Sequence, residues 1–108
     1  MKDMMKSLQS DEQFYELQKD SNVNVFVFSA NWCPDCVFIK PFLPELIQKY
    51  SDYHFIYVDR DQFIDLCIDH DILGIPSFVA FKEGREIGRF VSKLRKTKEE
   101  IDQFLGEL

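Results

Sequence analysis

Trp32-Cys33-Pro34-Asp35-Cys36 places two cysteines two residues apart. An apolar run over residues 23–28 comes just before this motif, and an amphipathic stretch over residues 36–50 comes just after it. The motif therefore stands where a strand is followed by a helix. A helix N-terminus has unpaired N–H groups and a positive dipole end, and both favour a thiolate, the form of cysteine that attacks disulfides. The stretch predicts a redox centre.

Length and composition predict a single domain over residues 1–108. The chain is 45% hydrophobic, with eleven Phe and only four Gly and four Pro. A chain of this size buries roughly two-thirds of its unfolded surface, which suffices for a core without disulfides. Its longest apolar run is too short to cross a membrane. Its net charge of −6 is opposite to that of a nucleic-acid binder, so neither a membrane nor a nucleic acid is an expected partner.

Cysteine usage indicates a cytoplasmic protein. Three cysteines is an odd number, and the N-terminus lacks a basic region followed by an apolar stretch and a cleavage site. In the reducing cytosol an isolated Cys-x-x-Cys pair is more often catalytic or metal-binding than structural.

Periodicity predicts alternating helices and strands. A capping-box spacing at Ser10–Gln13 begins a helix over about 10–20, and strands follow at 23–29 and 54–59. The helix after the motif should bend near Pro41, which cannot donate a backbone hydrogen bond. A short helix is expected over about 62–70.

The last third reads as a hairpin and a helix. Two strands, 77–81 and 87–91, flank a connection in which Gly84 can adopt positive φ, so they should run antiparallel. A second capping box, at Thr97–Glu100, begins the final helix. These elements predict an α/β fold with a mixed central sheet flanked by helices on both faces.

The chain resembles the thioredoxin family over nearly its whole length. The matching stretches are Phe28-Ser29-Ala30, Trp32-Cys33-x-x-Cys36, Pro41, Gly74-Ile75-Pro76-Ser77 and Phe81-Lys82-Glu83-Gly84. The resemblance implies a thioredoxin fold and a cis Ile75–Pro76 peptide, in a loop that lies beside the cysteines and binds the substrate backbone. Trp32 is expected to pack over the site and shape the substrate-contact surface, or to be a structural aromatic, and Pro34 and Asp35 are expected to contact the substrate. No cofactor is expected, because the chain has no Gly-rich dinucleotide fingerprint, and recycling is expected from a thioredoxin reductase.

The mechanism expected from this resemblance uses Cys33 as nucleophile and Cys36 as resolving thiol. Cys33 should be the more exposed of the two. Its thiolate attacks a disulfide in a protein or a low-molecular-weight thiol substrate, and Cys36 then displaces the reduced substrate from the mixed disulfide.

Three positions depart from the family pattern. The family's buried aspartate is Val27 here, its lysine partner is Tyr57, and the residues between the cysteines are Pro34-Asp35, which resemble a selective cytosolic branch of thioredoxin-related proteins. The loss of the aspartate removes a general base near Cys36, a role commonly worth 10²–10⁴-fold. Asp35 either takes over that role or complements the helix dipole.

Two other functions are compatible with the sequence. Cys33, Cys36, Cys67 and His70 have spacings that a Cys₃His zinc site could use, although Cys67 also reads as a small buried hydrophobe and His70 as a helix C-terminal residue. Alternatively, the fold is a non-enzymatic interaction module. Intact Cys33 and Cys36 argue against this module, and the missing aspartate argues for it.

Overall fold

The computed structural model describes residues 1 and 3–108 in full and the backbone of residue 2. A short 3₁₀ helix, Lys2–Met4, comes first. The strands are β1 Lys6–Ser7, β2 Asn24–Ser29, β3 His54–Asp59, β4 Ser77–Lys82 and β5 Arg85–Phe90. The helices are α1 Asp11–Gln18, α2 Pro34–Ile39, α3 Leu43–Lys49, α4 Ile64–Asp69 and α5 Lys98–Gly106. No helix in this described part of the chain is long and apolar enough to cross a membrane.

The strands form one mixed sheet in the order β1-β3-β2-β4-β5. β2 pairs in parallel with β3, and antiparallel with β4. All six residues of β2 are buried, as expected of a central strand whose two faces are both covered. The carboxyl end of β2 therefore leads from the middle of the sheet directly into the cysteine motif.

Alternate side chains of each central strand pack into two separate cores. One core holds Phe26 and Phe28 of β2 against α1 and α4, and includes Phe14 and Leu66. The other holds Val25 and Val27 against α2, α3 and α5. The predicted α/β architecture, a mixed sheet with helices on both faces, is confirmed.

The helix after the motif is broken where a bend was predicted. α2 ends at Ile39 and α3 begins at Leu43, so residues 40–42 separate two helices. Pro41 has no N–H to continue the helical ladder and its ring clashes with the preceding turn, and here these effects interrupt the helix completely.

Two local details differ from the sequence expectations. The Ser10 hydroxyl accepts from the Gln13 amide, but the Gln13 side chain accepts from the amide of Gln9, so the first capping box is not reciprocal. The box at Thr97 is complete. β5 begins at Arg85, two residues earlier than predicted, because Glu83 and Gly84 both have positive φ and make a two-residue turn.

Candidate active site

Cys33 is the N-cap residue of α2. Its Sγ accepts a hydrogen bond from the Cys36 amide at 3.2 Å, and its thiol donates to the Ile75 carbonyl at 3.6 Å. Pro34 is the first helical residue, where a backbone N–H would have no partner within the helix, so the absence of an N–H in proline costs nothing there. A sulfur in this position accepts from a free helix N–H, and that bond becomes stronger when the sulfur is a thiolate.

Cys36 lies one helical turn behind Cys33. The exposed fraction is 4% for Cys33 and 1% for Cys36, so Cys33 is the more accessible, but only its edge reaches the surface. Burial, followed by the neighbouring Cys33, raises the pKa of Cys36 to about 12. The two sulfur atoms therefore differ in accessibility, and Cys36 is a protonated thiol at neutral pH.

The cis peptide Ile75–Pro76 lies beside the cysteines, as the resemblance implies. Its position is set by the hydrogen bond from Cys33 to Ile75 and by close packing at Gly74, where a Cβ atom would stand 2.2 Å from the Ser92 carbonyl oxygen. Only glycine fits at this approach of two backbones. The loop that carries Pro76 is thus held between Cys33 and the segment before α5.

Trp32 is 60% exposed. Its indole N–H donates to Asp61 at 2.6 Å, and the Arg60 guanidinium lies 5.8 Å from the ring centre. Trp32 and Arg60, together with Gly74 and Ile75, line a hollow, and the Ile75 carbonyl accepts from Cys33. Trp32 therefore forms one wall of a hollow next to Cys33.

Asp35 is engaged in an ion pair. Its Oδ1 accepts from Arg95 Nε at 2.8 Å, and the Arg95 guanidinium also lies 4.5 Å from the centre of the Phe38 ring. The partner comes from the segment between β5 and α5, sixty residues along the chain. Arg95 therefore occupies one oxygen of the carboxylate that the sequence offers as a possible base for Cys36.

The sheet side of the site is uncharged. Val27 and Tyr57 are paired in register on adjacent strands, and both are buried. Burial raises the pKa of Tyr57, so its hydroxyl stays protonated at neutral pH. The buried Ser29 hydroxyl lies beside both Tyr57 and Cys36 and lowers the pKa of each by a smaller amount. The apolar Val27 and the neutral hydroxyl of Tyr57 thus occupy the positions where the family has an aspartate and a lysine.

The proposed zinc ligands are not brought together. Cys67 packs in the core with Phe63 and Leu66, whereas Cys33 and Cys36 belong to a separate cluster. His70 is the C-cap of α4, and its Nε2 lies 3.1 Å from the Tyr15 hydroxyl. In the part of the chain that the structure describes, no group of three or more His, Cys, Asp or Glu side chains could hold a metal ion.

Sequence reasoning missed the basic segment of the site. Arg95 and Lys96 follow β5 in a stretch whose periodicity carries no signal, and the contact of Arg95 with α2 depends on how the last strand and helix turn back over the sheet. Asp61 was missed for the same reason, since nothing local links it to Trp32. The sequence shows that Asp35 and Arg95 carry opposite charges, but it does not show that they lie close together.

Comparisons with known proteins agree with this geometry. The family model Thioredoxin matches residues 5–107. Thioredoxin of Bos taurus is 34% identical over 107 residues, covering 97% of this chain and 99% of that protein. Oxidised mitochondrial thioredoxin 3 of Saccharomyces cerevisiae superposes with a TM-score of 0.83 at 28% identity, covering 96% of this chain and 95% of that one.

A further structure comes from a study of thiol resolution in yeast mitochondrial 1-Cys peroxiredoxin by glutathione and thioredoxin systems. It has a TM-score of 0.84 and 27% identity, and the match covers 96% of this chain and 95% of that one. These likenesses favour neither a zinc site nor a non-enzymatic module. The chain belongs to the thioredoxin family and is a thiol–disulfide oxidoreductase that acts on disulfide-containing substrates.

Proposed function

We propose that this protein reduces disulfides in proteins and small thiol substrates, with Cys33 as nucleophile and Cys36 as resolving thiol. The observation that carries the assignment is the position of Cys33 Sγ at the N-cap of α2, where it accepts from the Cys36 amide and belongs to the more accessible of two buried cysteines. Cys36 sits one turn deeper and is the less accessible of the two.

The reaction transfers two electrons in two exchanges. The Cys33 thiolate attacks one sulfur of the substrate disulfide, so that a new S–S bond forms and the other substrate sulfur leaves as a thiolate. Cys36 then loses its proton, attacks Cys33 Sγ and breaks the mixed disulfide. The second substrate sulfur leaves as a thiolate and takes up a proton. The first leaving sulfur takes up a proton from solvent, so the protein ends with a Cys33–Cys36 disulfide and the substrate as two thiols.

The surface around Cys33 supports an extended substrate segment. Trp32 forms one wall of the hollow beside Cys33, and the cis Ile75–Pro76 peptide lies at its edge. Pro34 and Asp35 occupy the first turn of α2 next to the attacking sulfur. These five positions with Cys33 and Cys36 make the substrate-binding and catalytic surface that we assign.

We assign recycling to a thioredoxin reductase in the cytoplasm. The chain carries no dinucleotide fingerprint of its own, so its electrons come from an external donor. All three cysteines are free thiols, which suits a reducing compartment. NADPH with a thioredoxin reductase should support turnover faster than glutathione with glutathione reductase, and the reverse order would reassign the donor.

The test of the cysteine roles is turnover of a disulfide substrate by Cys33→Ser and Cys67→Ala. Cys33→Ser should lower the rate at least about 10³-fold, because the hydroxyl that replaces the thiol is not ionised at neutral pH. Cys67→Ala is the matched control, since it removes a buried thiol outside the site, and it should stay within about twofold of the wild type. Retention of more than a tenth of the wild-type rate in Cys33→Ser would refute the assignment.

A further inference from the structure

Lys96 is a lysine enclosed by the protein. Its exposed fraction is 1%. Nζ donates to the carbonyl oxygens of Ser92 at 3.1 Å and Leu94 at 3.3 Å, and lies 5.2 Å from the centre of the Phe90 ring. Lysine is almost never fully buried unless it is paired. Among the described residues, however, no carboxylate lies within ion-pair distance of it. A buried ammonium without a counter-ion costs stability.

The segment that carries Lys96 contacts both parts of the active site. This segment, residues 91–97, joins β5 to α5. Arg95 binds Asp35 in the first turn of α2, and the backbone at Ser92 packs against Gly74, next to the carbonyl that accepts from Cys33. Lys96 is therefore fixed in a segment that borders the helix of the cysteines on one side and the Pro76 loop on the other.

Four groups act on the Lys96 charge. Burial has the largest effect and lowers the pKa of Lys96, whereas Asp35, Cys36, Glu100 and Cys33 act in the raising direction, each thiol only when it is ionised. Asp35 and the cysteines belong to α2, and Glu100 to α5. Such electrostatic coupling is reciprocal, so an ammonium that is stabilised by a thiolate stabilises that thiolate equally.

We propose that Lys96 supplies the positive charge for thiol–disulfide exchange from the loop side of the site. The sheet side carries Val27 and Tyr57 in place of the family's aspartate and lysine. The inference rests on the assignment of Cys33 and Cys36 above. Negative charge passes from the attacking sulfur to the leaving sulfur in each exchange, and a fixed cation in a buried setting stabilises it without reorganisation. Lys96 acts through the sulfur atoms as a positioning residue and touches no substrate.

The test compares Lys96→Met, which keeps a long unbranched side chain but removes its charge, with Lys96→Arg, which keeps the charge. The readout is the pH midpoint of Cys33 alkylation in the reduced protein. Lys96→Met should raise this midpoint by about 0.5–1 pH unit and lower turnover at neutral pH about 3–10-fold. Lys96→Arg should restore most of both. Lys93→Met removes a charge from the exposed side of the same segment, and should shift the midpoint by less than about 0.2 unit.

A midpoint in Lys96→Met within about 0.2 unit of the wild type would overturn the inference, even if the variant were less stable. If Lys96→Met does not fold, a measurement on the wild-type protein tests the inference instead. The side-chain NMR titration of Lys96 should have a midpoint higher by about 0.5 unit or more in the reduced than in the oxidised protein, because oxidation removes the thiolate. Equal midpoints would refute the inference. Neither result affects the nucleophile assignment, which depends on Cys33→Ser.

Discussion

Cys36 and Cys67 are two buried thiols with similar surroundings by the usual measures. Their exposed fractions are 1% and 2%, and burial is the main cause that raises the pKa of Cys36 to about 12 and that of Cys67 to about 11. The two thiols differ in the groups that surround them. Cys36 lies in the first turn of α2, and its amide donates to Cys33 Sγ, whereas Cys67 is within α4 among apolar side chains. Reactivity therefore depends on the partner sulfur at a helix terminus and not on burial.

Substitution of each thiol tests most directly whether Cys36 and Cys67 differ in function. Cys36→Ser should lower steady-state turnover by about 10³-fold or more and accumulate a mixed disulfide between Cys33 and the substrate, because nothing else displaces it. Cys67→Ala should change turnover less than about twofold. Stopped flow and intact-mass analysis distinguish the two. A Cys36→Ser variant that turns over without a trapped adduct would show that the resolving thiol lies elsewhere.

Peptide mapping of the oxidised wild type gives an independent check. We expect one reversible link, between Cys33 and Cys36, with Cys67 alkylated only after denaturation, since its thiol is enclosed by Phe63 and Leu66. A link from Cys67 to Cys33 or Cys36 would contradict the division of the thiols into a reactive pair and a core residue.

The next largest effect is expected from Val27→Asp, which places a carboxyl on the strand beneath Cys36. Burial without a lysine partner should raise the pKa of this carboxyl and lower the free energy of unfolding by about 3 kcal/mol at pH 7. An acid with a raised folded-state pKa is destabilising once the unfolded chain ionises. The ionisation part of this deficit should therefore be absent below about pH 4 and grow as the pH rises towards the folded-state pKa, in addition to the constant cost of burying a neutral carboxyl.

The same variant should speed resolution of the mixed disulfide. Because burial keeps Cys36 protonated, wild-type resolution should accelerate as the pH rises above neutrality, and an added proton acceptor should flatten that dependence. Val25→Asp is the matched control, since Val25 is buried on the same face of β2, two residues farther from the motif. It should destabilise the protein without changing the rate of resolution. Equal resolution rates in Val27→Asp and wild type would mean that proton transfer is not limiting.

The parts of the fold that depend on local pattern were predictable from sequence. The continuous apolar run of β2, the reciprocal capping box at Thr97 and the cysteine motif each carry their signal within a few residues. The broken helix at Pro41 and the turn at Glu83 were misjudged in extent, because a proline and a positive φ act on the backbone beyond one residue.

The electrostatics of the candidate site were not predictable to the same degree. The cysteines and Pro76 follow from motif spacing, but the pairing of Asp35 with Arg95 and the burial of Lys96 depend on tertiary packing. Sequence patterns assign lysine to the surface, and only the tertiary structure shows that Lys96 is buried. The acid–base environment of a thiol is therefore the property that most needs the structure.

Cys67→Ala should have a moderate effect on stability alone. Removing the sulfur from a closed core should cost about 1 kcal/mol at neutral pH. The pKa of Cys67 is raised by burial, so the unfolded chain ionises first, and the thiol destabilises the native state as the pH rises from about 9 towards 11. The stability difference between variant and wild type should shrink across this range in chemical denaturation. A constant difference would show that Cys67 is not buried as a neutral thiol.

The smallest effect is expected from Asp35→Asn, which asks whether the proton of Cys36 has a carboxylate acceptor at all. The Arg95 side chain is 53% exposed, so its bond to Asp35 should contribute less than about 1 kcal/mol to stability. Because that bond occupies the carboxylate, turnover should stay within about threefold of the wild type, well below the 10²–10⁴-fold loss expected for a general base. Arg95→Met is the companion variant, since it frees the carboxylate. A 100-fold loss in Asp35→Asn, with acceleration in Arg95→Met, would identify Asp35 as a base restrained by Arg95 and would give Cys36 the acid–base partner that Cys67 lacks.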